Sequence, residues 1–313
     1  MRVMVTGAAG FIGSHVVDKL CDRGVDVRVF DLGPPSHRSD IDFFPGSVLD
    51  VEQLCVAMRG IDAVIHLAAV ADVKDVFESP SQSENINTRG TANVLEAARR
   101  TGLKRVIYGS TTWVYSDAIP QDVDEETPLM APSHLYTATK LIGEYYCHSY
   151  AQLYGLEPTV LRFGIPYGPR ARGGAVIPIF VEKALNGETI TLQGDGLQFR
   201  KFVYVEDLAE GIVLALKPIA ANRIYNLDGK EKITIRQIAE TVQEIVGNAN
   251  IEYVPARPGD FAGKEVSSVR ALDELGWQAS TPFEEGVRCY IEWYRDQLAQ
   301  KDIRWQKVDA DLR

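Results

Sequence analysis

Tyr136 and Lys140 stand four residues apart in HLYTATKLIGE, inside the segment 134–154 that the helical pattern predicts to be one long helix. An i, i+4 spacing places both side chains on one face of that helix. A free tyrosine titrates near ~10 and is a poor base at neutral pH, but a neighbouring ammonium and a positively charged ring stabilise its phenolate. The pair can therefore move protons. Taken alone the spacing is common, and two ordinary helix residues explain it more often than not.

Three glycines follow the first predicted strand and open the first predicted helix, in VTGAAGFIGSH. In such a turn the backbone amides and the helix dipole face the pyrophosphate of a dinucleotide. The residues that the turn would place on a cofactor are Gly7, Gly10, Phe11, Ile12 and Gly13.

Asp31 ends the second predicted strand, 18 residues after Gly13. A carboxylate there accepts hydrogen bonds from a ribose 2'-hydroxyl and repels a 2'-phosphate, so the predicted cofactor is NAD and not NADP. With this fingerprint upstream, Tyr136 and Lys140 become a candidate catalytic pair.

Short strand-like runs alternate with helical patterns through the first half of the chain, which is typical of a parallel sheet with helices on both faces. The predicted strands are residues 3–6, 25–30, 63–67, 105–108 and 158–162. Helices are predicted over 13–23, 88–101 and 134–154, and a glycine follows each of the first two. The predicted fold class is α/β, a doubly wound, Rossmann-like parallel sheet with a smaller C-terminal α/β substrate lobe.

Beyond residue 163 the alternation loosens into connections rich in proline and glycine. We expect a nucleotide-binding domain over 1–163, with part of 201–226 returning to it, and a substrate-binding lobe over 164–200 and 227–313. Parallel sheets bind ligands beyond the carboxyl ends of their strands. The loops around Gly7, Ala69, Ser110 and Gly164 should therefore converge on one cleft.

The bulk composition excludes several classes of partner. The 313 residues carry a formal net charge of -10, which argues against a nucleic acid or an anionic membrane as the main partner. The four cysteines lie far apart, without the spacing of a metal site or a disulfide framework, so no metal is predicted. No stretch approaches the ~20 apolar residues that span a bilayer, and no secretory leader is recognisable. We expect a cytoplasmic protein.

The GxxGxxG spacing, VIHLAA at 64–69 and NTRGT at 87–91 together resemble the extended short-chain dehydrogenase/reductase superfamily, and within it the NAD-dependent epimerase/dehydratase family. In that family the VIHLAA segment lies along the cofactor. Ser47 and Val48 stand where relatives have an Asp and an aliphatic residue on the adenine, so the serine hydroxyl would weaken or replace that contact. The cofactor-binding residues that the resemblance adds are Ser47, Val48, Leu67, Ala68, Ala69, Asn87, Tyr136, Lys140 and Phe163.

The resemblance also implies a third catalytic residue on the loop GSTTWVYS. Thr111 stands where relatives have the hydroxyl that hydrogen-bonds the reacting oxygen, with Ser110 and Thr112 as near alternatives. Dehydratases of this branch carry Asp-Glu directly after that threonine, whereas this chain has Thr112 and Trp113. The missing acid favours oxidation-reduction or epimerisation over the elimination of water.

Two other polar side chains, His66 and Glu144, have simpler explanations. His66 and His134 are alternative bases, but His66 lies in an apolar strand, where a packed core histidine is the commoner case. Glu144, one turn after Lys140, is explained by an ordinary helix ion pair.

The C-terminal half resembles the substrate lobe of nucleotide-sugar epimerases. Arg200 in GDGLQFRKF and Arg257 in ARPGDF match two arginines that hold a substrate diphosphate, and Asp260 matches an acid that binds a ribose hydroxyl. The substrate-binding residues so implied are Thr111, Thr112, Val176, Arg200, Arg257 and Asp260.

The same half departs from the family pattern at three positions. Ile165 replaces an asparagine that contacts the sugar nucleotide, and Lys201 replaces an aspartate. Lys264 falls where relatives line the sugar pocket, and a cation there would favour a carboxylate such as a uronate; a surface lysine explains it equally well.

The resemblance, carried by these residues, implies an NAD-dependent nucleotide-sugar 4-epimerase that acts on a UDP-sugar through a 4-keto intermediate. The resemblance further implies a homodimer through residues 88–101 and 134–154. Two alternatives stay open: a dehydrogenase or reductase on a related substrate, and a non-catalytic NAD-binding protein.

Overall fold

The computed structural model describes residues 1–255 and 263–311. The chain divides into two compact units. Unit 1 comprises Met1–Gly164, Glu206–Gly229 and Lys264–Ala279, and unit 2 comprises Ile165–Val205, Lys230–Gly263 and Ser280–Arg313.

The secondary structure is mixed. The strands are β1 (Arg2–Thr6), β2 (Asp26–Asp31), β3 (Asp42–Pro45), β4 (Ala63–His66), β5 (Arg105–Thr111), β6 (Asp122–Val123), β7 (Glu157–Phe163), β8 (Ile165–Tyr167), β9 (Ile190–Gln193), β10 (Phe199–Tyr204), β11 (Arg223–Leu227), β12 (Lys232–Thr234), β13 (Ile251–Val254) and β14 (Glu265–Val266). The α-helices are α1 (Phe11–Asp22), α2 (Val51–Ala57), α3 (Val73–Glu78), α4 (Pro80–Glu84), α5 (Gly90–Thr101), α6 (Leu135–Tyr154), α7 (Val176–Leu185), α8 (Val205–Leu214), α9 (Ile235–Val246) and α10 (Phe283–Asp311).

A seven-stranded parallel sheet forms the centre of unit 1, in the order β11-β7-β5-β4-β1-β2-β3. The predicted α/β fold class is confirmed, and each of the five predicted strands is present. Strands β3 and β11 extend the sheet at its two edges. The strand order reverses between β1 and β4, which is where open α/β sheets bind their ligands.

The inner strands β1, β4, β5 and β7 are buried on both faces, which explains their apolar runs. Met4, Val64 and Val106 belong to a core that they share with side chains of α2, α5 and α6. Val3 and Ile65, which alternate with them and point to the other face, are also fully buried. The covered faces leave the strand ends as the place for polar chemistry.

The predicted helix over 88–101 begins differently from the prediction. A π-helical turn over Asn85–Arg89 comes first, and α5 follows from Gly90. A Cβ atom at Gly90 would lie 2.7 Å from a methyl carbon of Val48, so only glycine allows this close packing. Gly102, with φ 76°, ends α5 as predicted.

Unit 2 has its own core. Strands β12, β10 and β8 form a three-stranded sheet, and β13 pairs with β9 in parallel. Helix α9 begins with a capping box between Thr234 and Gln237 and buries Ile238 and Val242 in a cluster with α7 and α10.

Residues 264–279 lie in unit 1, whereas the sequence prediction placed them in the second lobe. Strand β14 pairs with β6, and the Trp277 indole N–H donates to the Asp207 carbonyl at 2.7 Å. These contacts join elements far apart in sequence, which sequence patterns do not reveal.

No helix in the described ranges is long and apolar enough to cross a membrane. Helix α6 nevertheless exposes apolar side chains, among them Ile142, Tyr145 and Leu153. The homodimer expected through residues 88–101 and 134–154 stays a prediction.

Helix α6 lies unusually close to β5 at Gly143. A Cβ atom there would lie 2.9 Å from Tyr108 Cε1 and closer still to the hydroxyl end of that ring. The Tyr108 hydroxyl donates to the Lys140 carbonyl at 3.1 Å, so the tyrosine is fixed beneath the helix.

We expect Gly143→Ala to lower the free energy of unfolding by about 1–3 kcal/mol, because the added methyl group forces α6 away from Tyr108. Denaturant unfolding would measure this. Gly33→Ala, at a position with nothing within 4 Å, is the matched control and should be neutral. A more stable Gly143→Ala variant, as helix propensity alone predicts, would contradict the close approach.

Candidate active site

The glycine-rich turn between β1 and α1 is shaped by contacts that only glycine permits. Gly7 has φ 69°, and the Gly10 N–H donates to the Gly7 carbonyl at 3.1 Å. A Cβ atom at Gly13 would collide with that same carbonyl oxygen. The turn therefore packs tightly and leaves the start of α1 without a side-chain cap.

The end of β4 lies against this turn. The Leu67 N–H donates to the Thr6 carbonyl at 3.1 Å, and the Ala68 N–H donates to the Thr6 hydroxyl at 3.3 Å. A Cβ atom at Gly7 would lie 2.6 Å from the Ala68 nitrogen. The structure thus brings the predicted residues Gly7, Leu67 and Ala68 together, with Ala69 next in the chain.

Asp31 holds the glycine-rich turn from the end of β2. One carboxylate oxygen accepts the Ala9 N–H at 2.9 Å, and the other accepts the Leu32 N–H at 2.7 Å. Each oxygen keeps a second lone pair that a ribose hydroxyl can use.

Ser47 and Val48 follow β3. The Ser47 hydroxyl oxygen accepts the Leu49 N–H at 3.2 Å, and its own proton remains to donate. Val48 is buried against Gly90.

These features fit a dinucleotide. The uncapped start of α1, with Phe11 and Ile12 in its first turn, offers amides to a pyrophosphate, and Gly7 and Gly13 leave space for its approach. Asp31 offers a carboxylate suited to a ribose diol. The chain's own residues therefore suit NAD.

Asn87 uses its amide within the protein. Its Oδ1 accepts the Val70 N–H at 2.8 Å, while Nδ2 donates to the Val70 carbonyl at 3.0 Å and to the Thr139 hydroxyl at 3.1 Å. It connects the segment after β4 to α6, one residue before Lys140. A direct contact of Asn87 with the cofactor stays a prediction.

Phe163, at the end of β7, packs over Gly109. A Cβ atom at Gly109 would lie 2.9 Å from the Phe163 ring and 3.0 Å from Leu67 Cδ2. Gly109 of β5, Phe163 of β7 and Leu67, the residue after β4, therefore pack closely together.

Lys140 reaches from α6 to the end of β5. Its side chain is 5% exposed, and Nζ donates to the Gly109 carbonyl at 2.9 Å. Burial lowers the pKa of Lys140 to about 8, so the ammonium is still largely charged at neutral pH.

Tyr136 lies one helical turn before Lys140 and is half-buried. Burial raises the pKa of Tyr136 to about 12. The predicted lowering of this pKa requires the Lys140 ammonium and the positively charged ring of the cofactor together, so it stays a prediction. Desolvation acts more strongly here, and the ammonium is directed to Gly109.

The three hydroxyls after β5 have different surroundings. Ser110 donates to Glu144 Oε1 at 2.5 Å, so its proton is engaged. The oxygen of Thr111, which is buried, accepts the Trp113 N–H at 3.2 Å, and its proton is left to donate. Thr112 is half-buried. These contacts favour Thr111 over Ser110 as the hydroxyl that meets a substrate.

The expected ion pair of Glu144 within its own helix is not formed. Glu144 pairs with Arg162 of β7, at 3.1 Å to Nε and 2.7 Å to Nη2. The reason is that Arg162 neighbours Ser110 in the sheet and presents two N–H donors to the carboxylate. A basic residue within the apolar strand PTVLRF was the available signal.

His66 is a core histidine, as expected. Its Nδ1 lies 2.7 Å from the Thr6 hydroxyl and its Nε2 3.1 Å from the Thr91 hydroxyl. Thr91 donates its own proton to the Asn87 carbonyl, so Nε2 carries the histidine hydrogen. Burial, and then the charge of Lys140, lowers the pKa of His66 to about 3.

His134 is exposed just before α6, and its ring lies 5.7 Å from that of Trp113.

The predicted substrate residues of the second lobe are only partly described. Val176 begins α7, and Arg200 lies on β10, where it donates to the Phe199 carbonyl at 2.7 Å. Arg257 and Asp260 lie outside the described residues.

The three departures from the family pattern lie within the described residues. Lys264 donates to the carbonyls of Ala118 and Pro120 at 2.7 and 3.0 Å, which fastens the loop after β5. Ile165 lies on β8 and Lys201 on β10.

We expect Asp31→Asn to weaken NAD binding by roughly 10–100-fold, because a hydrogen bond to a charged acceptor contributes ~1.5–3 kcal/mol. Discrimination against NADP should fall as well, since the repelling charge is lost. Equilibrium dialysis with both dinucleotides measures this. Asp62→Asn, before β4 at the opposite end of the sheet, is the control. Unchanged affinity for both dinucleotides would exclude Asp31 from the ribose site.

We expect His66 to make the protein less stable as pH falls from about 6.5 toward 3. The unfolded chain binds a proton near ~6.5, whereas the folded chain binds it only near pH 3, so acid favours unfolding. Between pH 7 and 4.5, His66→Asn should lose about 2–3 kcal/mol less unfolding free energy than the wild type. Denaturant unfolding at both pH values measures this. The exposed His148→Asn should keep the wild-type loss; equal losses in all three proteins would contradict the assignment.

Comparisons with known proteins agree with this geometry. The chain is 30% identical to a putative UDP-glucose 4-epimerase of Methanocaldococcus jannaschii, over 94% of this chain and 98% of the relative. Among solved structures, UDP-glucose 4-epimerase of Thermotoga maritima with UDP-glucose matches with a TM-score of 0.88 and 32% identity, over 95% of this chain and 100% of the other. A dTDP-glucose 4,6-dehydratase of Streptomyces venezuelae with NAD bound matches with a TM-score of 0.86 and 30% identity, over 95% and 97%.

A family model matches residues 3–228, which include the glycine-rich turn, Thr111 and the Tyr136–Lys140 pair. The predicted cofactor, NAD, is the cofactor of that family. By its sequence and its fold, the chain belongs to the NAD-dependent epimerase/dehydratase family.

Proposed function

We propose that the protein is a nucleotide-sugar 4-epimerase that inverts C4 of a UDP-sugar through a transient 4-keto sugar. The observation that carries the proposal is the surroundings of Thr111. Its hydroxyl proton is left to donate at the end of β5, where Lys140 also reaches, and the next two residues, Thr112 and Trp113, are uncharged.

In this proposal Tyr136 exchanges a proton with the sugar O4, and Thr111 holds the same oxygen by a hydrogen bond. Lys140 keeps its charge in the buried site at neutral pH and stabilises the phenolate that Tyr136 must form. NAD, when bound, would supply a ring that accepts a hydride from C4 and returns it. In its oxidised form that ring would also bring a positive charge to the site. Because burial raises the pKa of Tyr136 to about 12, the tyrosine depends on such charges to act as a base.

Two carboxylates of unit 1, Glu144 and Glu125, are engaged within the protein, which supports epimerisation over elimination. Glu144 is held by Arg162 and Ser110, and Glu125 accepts the Asn226 N–H at 2.7 Å. Elimination of water needs an acid that can give its proton to the leaving hydroxyl. Both Glu144 oxygens accept hydrogen bonds from Arg162 and Ser110, so this carboxylate is not free to serve as that acid.

The sugar nucleotide itself would be held by its diphosphate. We assign that contact to Arg200 and Arg257, with Asp260 on the nucleoside ribose and Val176 and Thr112 beside the substrate. Guanidinium groups pair bidentately with phosphate oxygens, which suits an acidic protein that must bind an anion locally. Anchoring the remote diphosphate leaves the sugar ring free to turn its other face.

The proposal is tested with a panel of UDP-, GDP- and dTDP-sugars, by following free NADH and the stereochemistry of the product. Inverted C4 without build-up of NADH supports the epimerase. Stoichiometric NADH with an oxidised product would make it a dehydrogenase, and a 6-deoxy-4-keto product would make it a dehydratase. No turnover of any sugar nucleotide would refute the proposal.

We expect Tyr136→Phe to lower kcat on the active sugar by about 10²–10⁴-fold, because the group that exchanges the proton is lost. Thr111→Val should lower kcat as well, since the hydrogen bond to O4 is lost. Tyr154→Phe, at the far end of the same helix, is the matched control and should keep wild-type kcat. Retention of kcat by Tyr136→Phe would exclude the assigned role.

A further inference from the structure

A row of buried polar residues crosses unit 1 just below the strand ends. Arg162 of β7 is the register partner of Ser110 on β5 and of Asn226 on β11. All three are nearly inaccessible to solvent. The row lies one residue below Thr111 and Phe163, which end their strands.

All three side-chain nitrogens of Arg162 donate hydrogen bonds to buried groups beside this row. Besides its two bonds to Glu144, its Nη1 donates to the Tyr115 hydroxyl at 2.6 Å, and the guanidinium lies 5.0 Å from the centre of that ring. The Tyr115 hydroxyl donates in turn to Asn226 at 2.9 Å. A buried cation held by so many partners has one defined position.

Glu144 has a second possible partner on its own helix. Lys140 lies four residues before it, and side chains at this spacing are neighbours on a helix surface. Instead, Arg162 and Ser110 occupy the carboxylate, and the Lys140 ammonium donates to a neutral carbonyl, that of Gly109. Among the described residues Lys140 forms no ion pair.

We propose that Arg162 is a positioning residue which, by holding Glu144 in a buried ion pair, prevents that carboxylate from pairing with Lys140. The Lys140 charge thereby stays available to Tyr136 and the cofactor. This inference rests on the proposed function only for the role of Lys140; the ion-pair exchange itself is a property of the folded chain.

Removal of Arg162 would leave Glu144 charged and unpaired in the interior, which is strongly unfavourable. The carboxylate can then pair with Lys140 or take up a proton. Pairing favours the charged form of the lysine, so the Lys140 pKa rises from about 8 toward its ordinary value. Removal of Glu144 has the opposite sign, because the unpaired Arg162 then repels the ammonium.

The other groups packed near Lys140 in the described part of the chain do not provide a negative charge that pairs with it. The titratable groups on the other elements around Lys140 are His66 on β4, Arg105 and Tyr108 on β5, Tyr115 in the turn after β5, and Glu157 and Arg162 on β7. Those on α6 itself are Tyr136, Glu144, Tyr145, Tyr146, Cys147, His148, Tyr150 and Tyr154. Arg105 and Glu157 begin β5 and β7, several residues away from Gly109, so Glu144 and Arg162 are the charged neighbours at the level of Lys140. The charged side chains of α3, α4, α5 and the π-helical turn are exposed or half-buried, namely Lys74, Asp75, Glu78, Glu84, Arg89, Glu96, Arg99 and Arg100.

The test is an NMR titration of Lys140 in the NAD-loaded and NAD-free protein labelled with [ε-13C]lysine, with Lys140→Arg used to assign the signal. We expect Arg162→Met to raise the Lys140 pKa by about one unit or more, and Glu144→Gln to lower it. The double variant, which removes both charges together, should return the pKa to within roughly half a unit of the wild type. Glu96→Gln, which breaks the exposed ion pairs of α5, is the control and should have no effect.

A Lys140 pKa that is the same in wild type, Glu144→Gln and Arg162→Met would overturn the inference. If Arg162→Met does not fold, the isosteric Glu144→Gln and the double variant carry the test, because a merely structural role predicts no opposite shift and no return. The titration needs no substrate. A panel of sugars without turnover would therefore refute the proposed function and leave this inference to its own result.

Discussion

At Gly143, helix α6 lies so close to the Tyr108 ring of β5 that no Cβ atom fits between them, and the site depends on this contact. The Tyr108 ring lies beneath the helix, its hydroxyl bonds the Lys140 carbonyl, and the Lys140 side chain passes over the ring, 5.2 Å from its centre, to reach Gly109. Tyr136 follows from the same placement, one turn earlier. Backbone contacts thus fix the proton-transfer residues before any ligand is considered.

Two buried cations on this face of the sheet are treated differently. Arg162 is neutralised by Glu144 and surrounded by acceptors, whereas Lys140 meets a carbonyl oxygen and a ring. A paired guanidinium stabilises one arrangement of side chains. Lys140 is not paired with a carboxylate, so its positive charge can act on other groups in the site. Burial of this charge is unfavourable, and the pKa of Lys140 is lowered as a result. Arg162 therefore stabilises the structure, and Lys140 is left to act in the proposed reaction.

Local patterns were enough to predict the glycine-rich turn, the central strands and the Tyr136–Lys140 spacing, because each depends on neighbours in sequence. The partner of Glu144 was not predictable in this way. Lys140 at i-4 is the local candidate, but Arg162 wins through sheet register, which brings β7 against β5. The raised pKa of Tyr136 was missed for a related reason, since burial is a property of the assembled fold. Strands β3 and β11 and the return of residues 264–279 likewise depend on pairing between distant segments.

The division of unit 1 into three separate stretches has a consequence for synthesis on the ribosome. When the nascent chain has emerged as far as Gly164, β7 is an open edge strand, because its neighbour β11 begins only at Arg223. The edge stays uncovered while the first stretch of unit 2 is translated, and an unpaired edge is a template for association with other chains. Asn226, which arrives with β11, then completes the bonds of Tyr115. Co-translational folding of this protein therefore cannot finish unit 1 before much of unit 2 has been made.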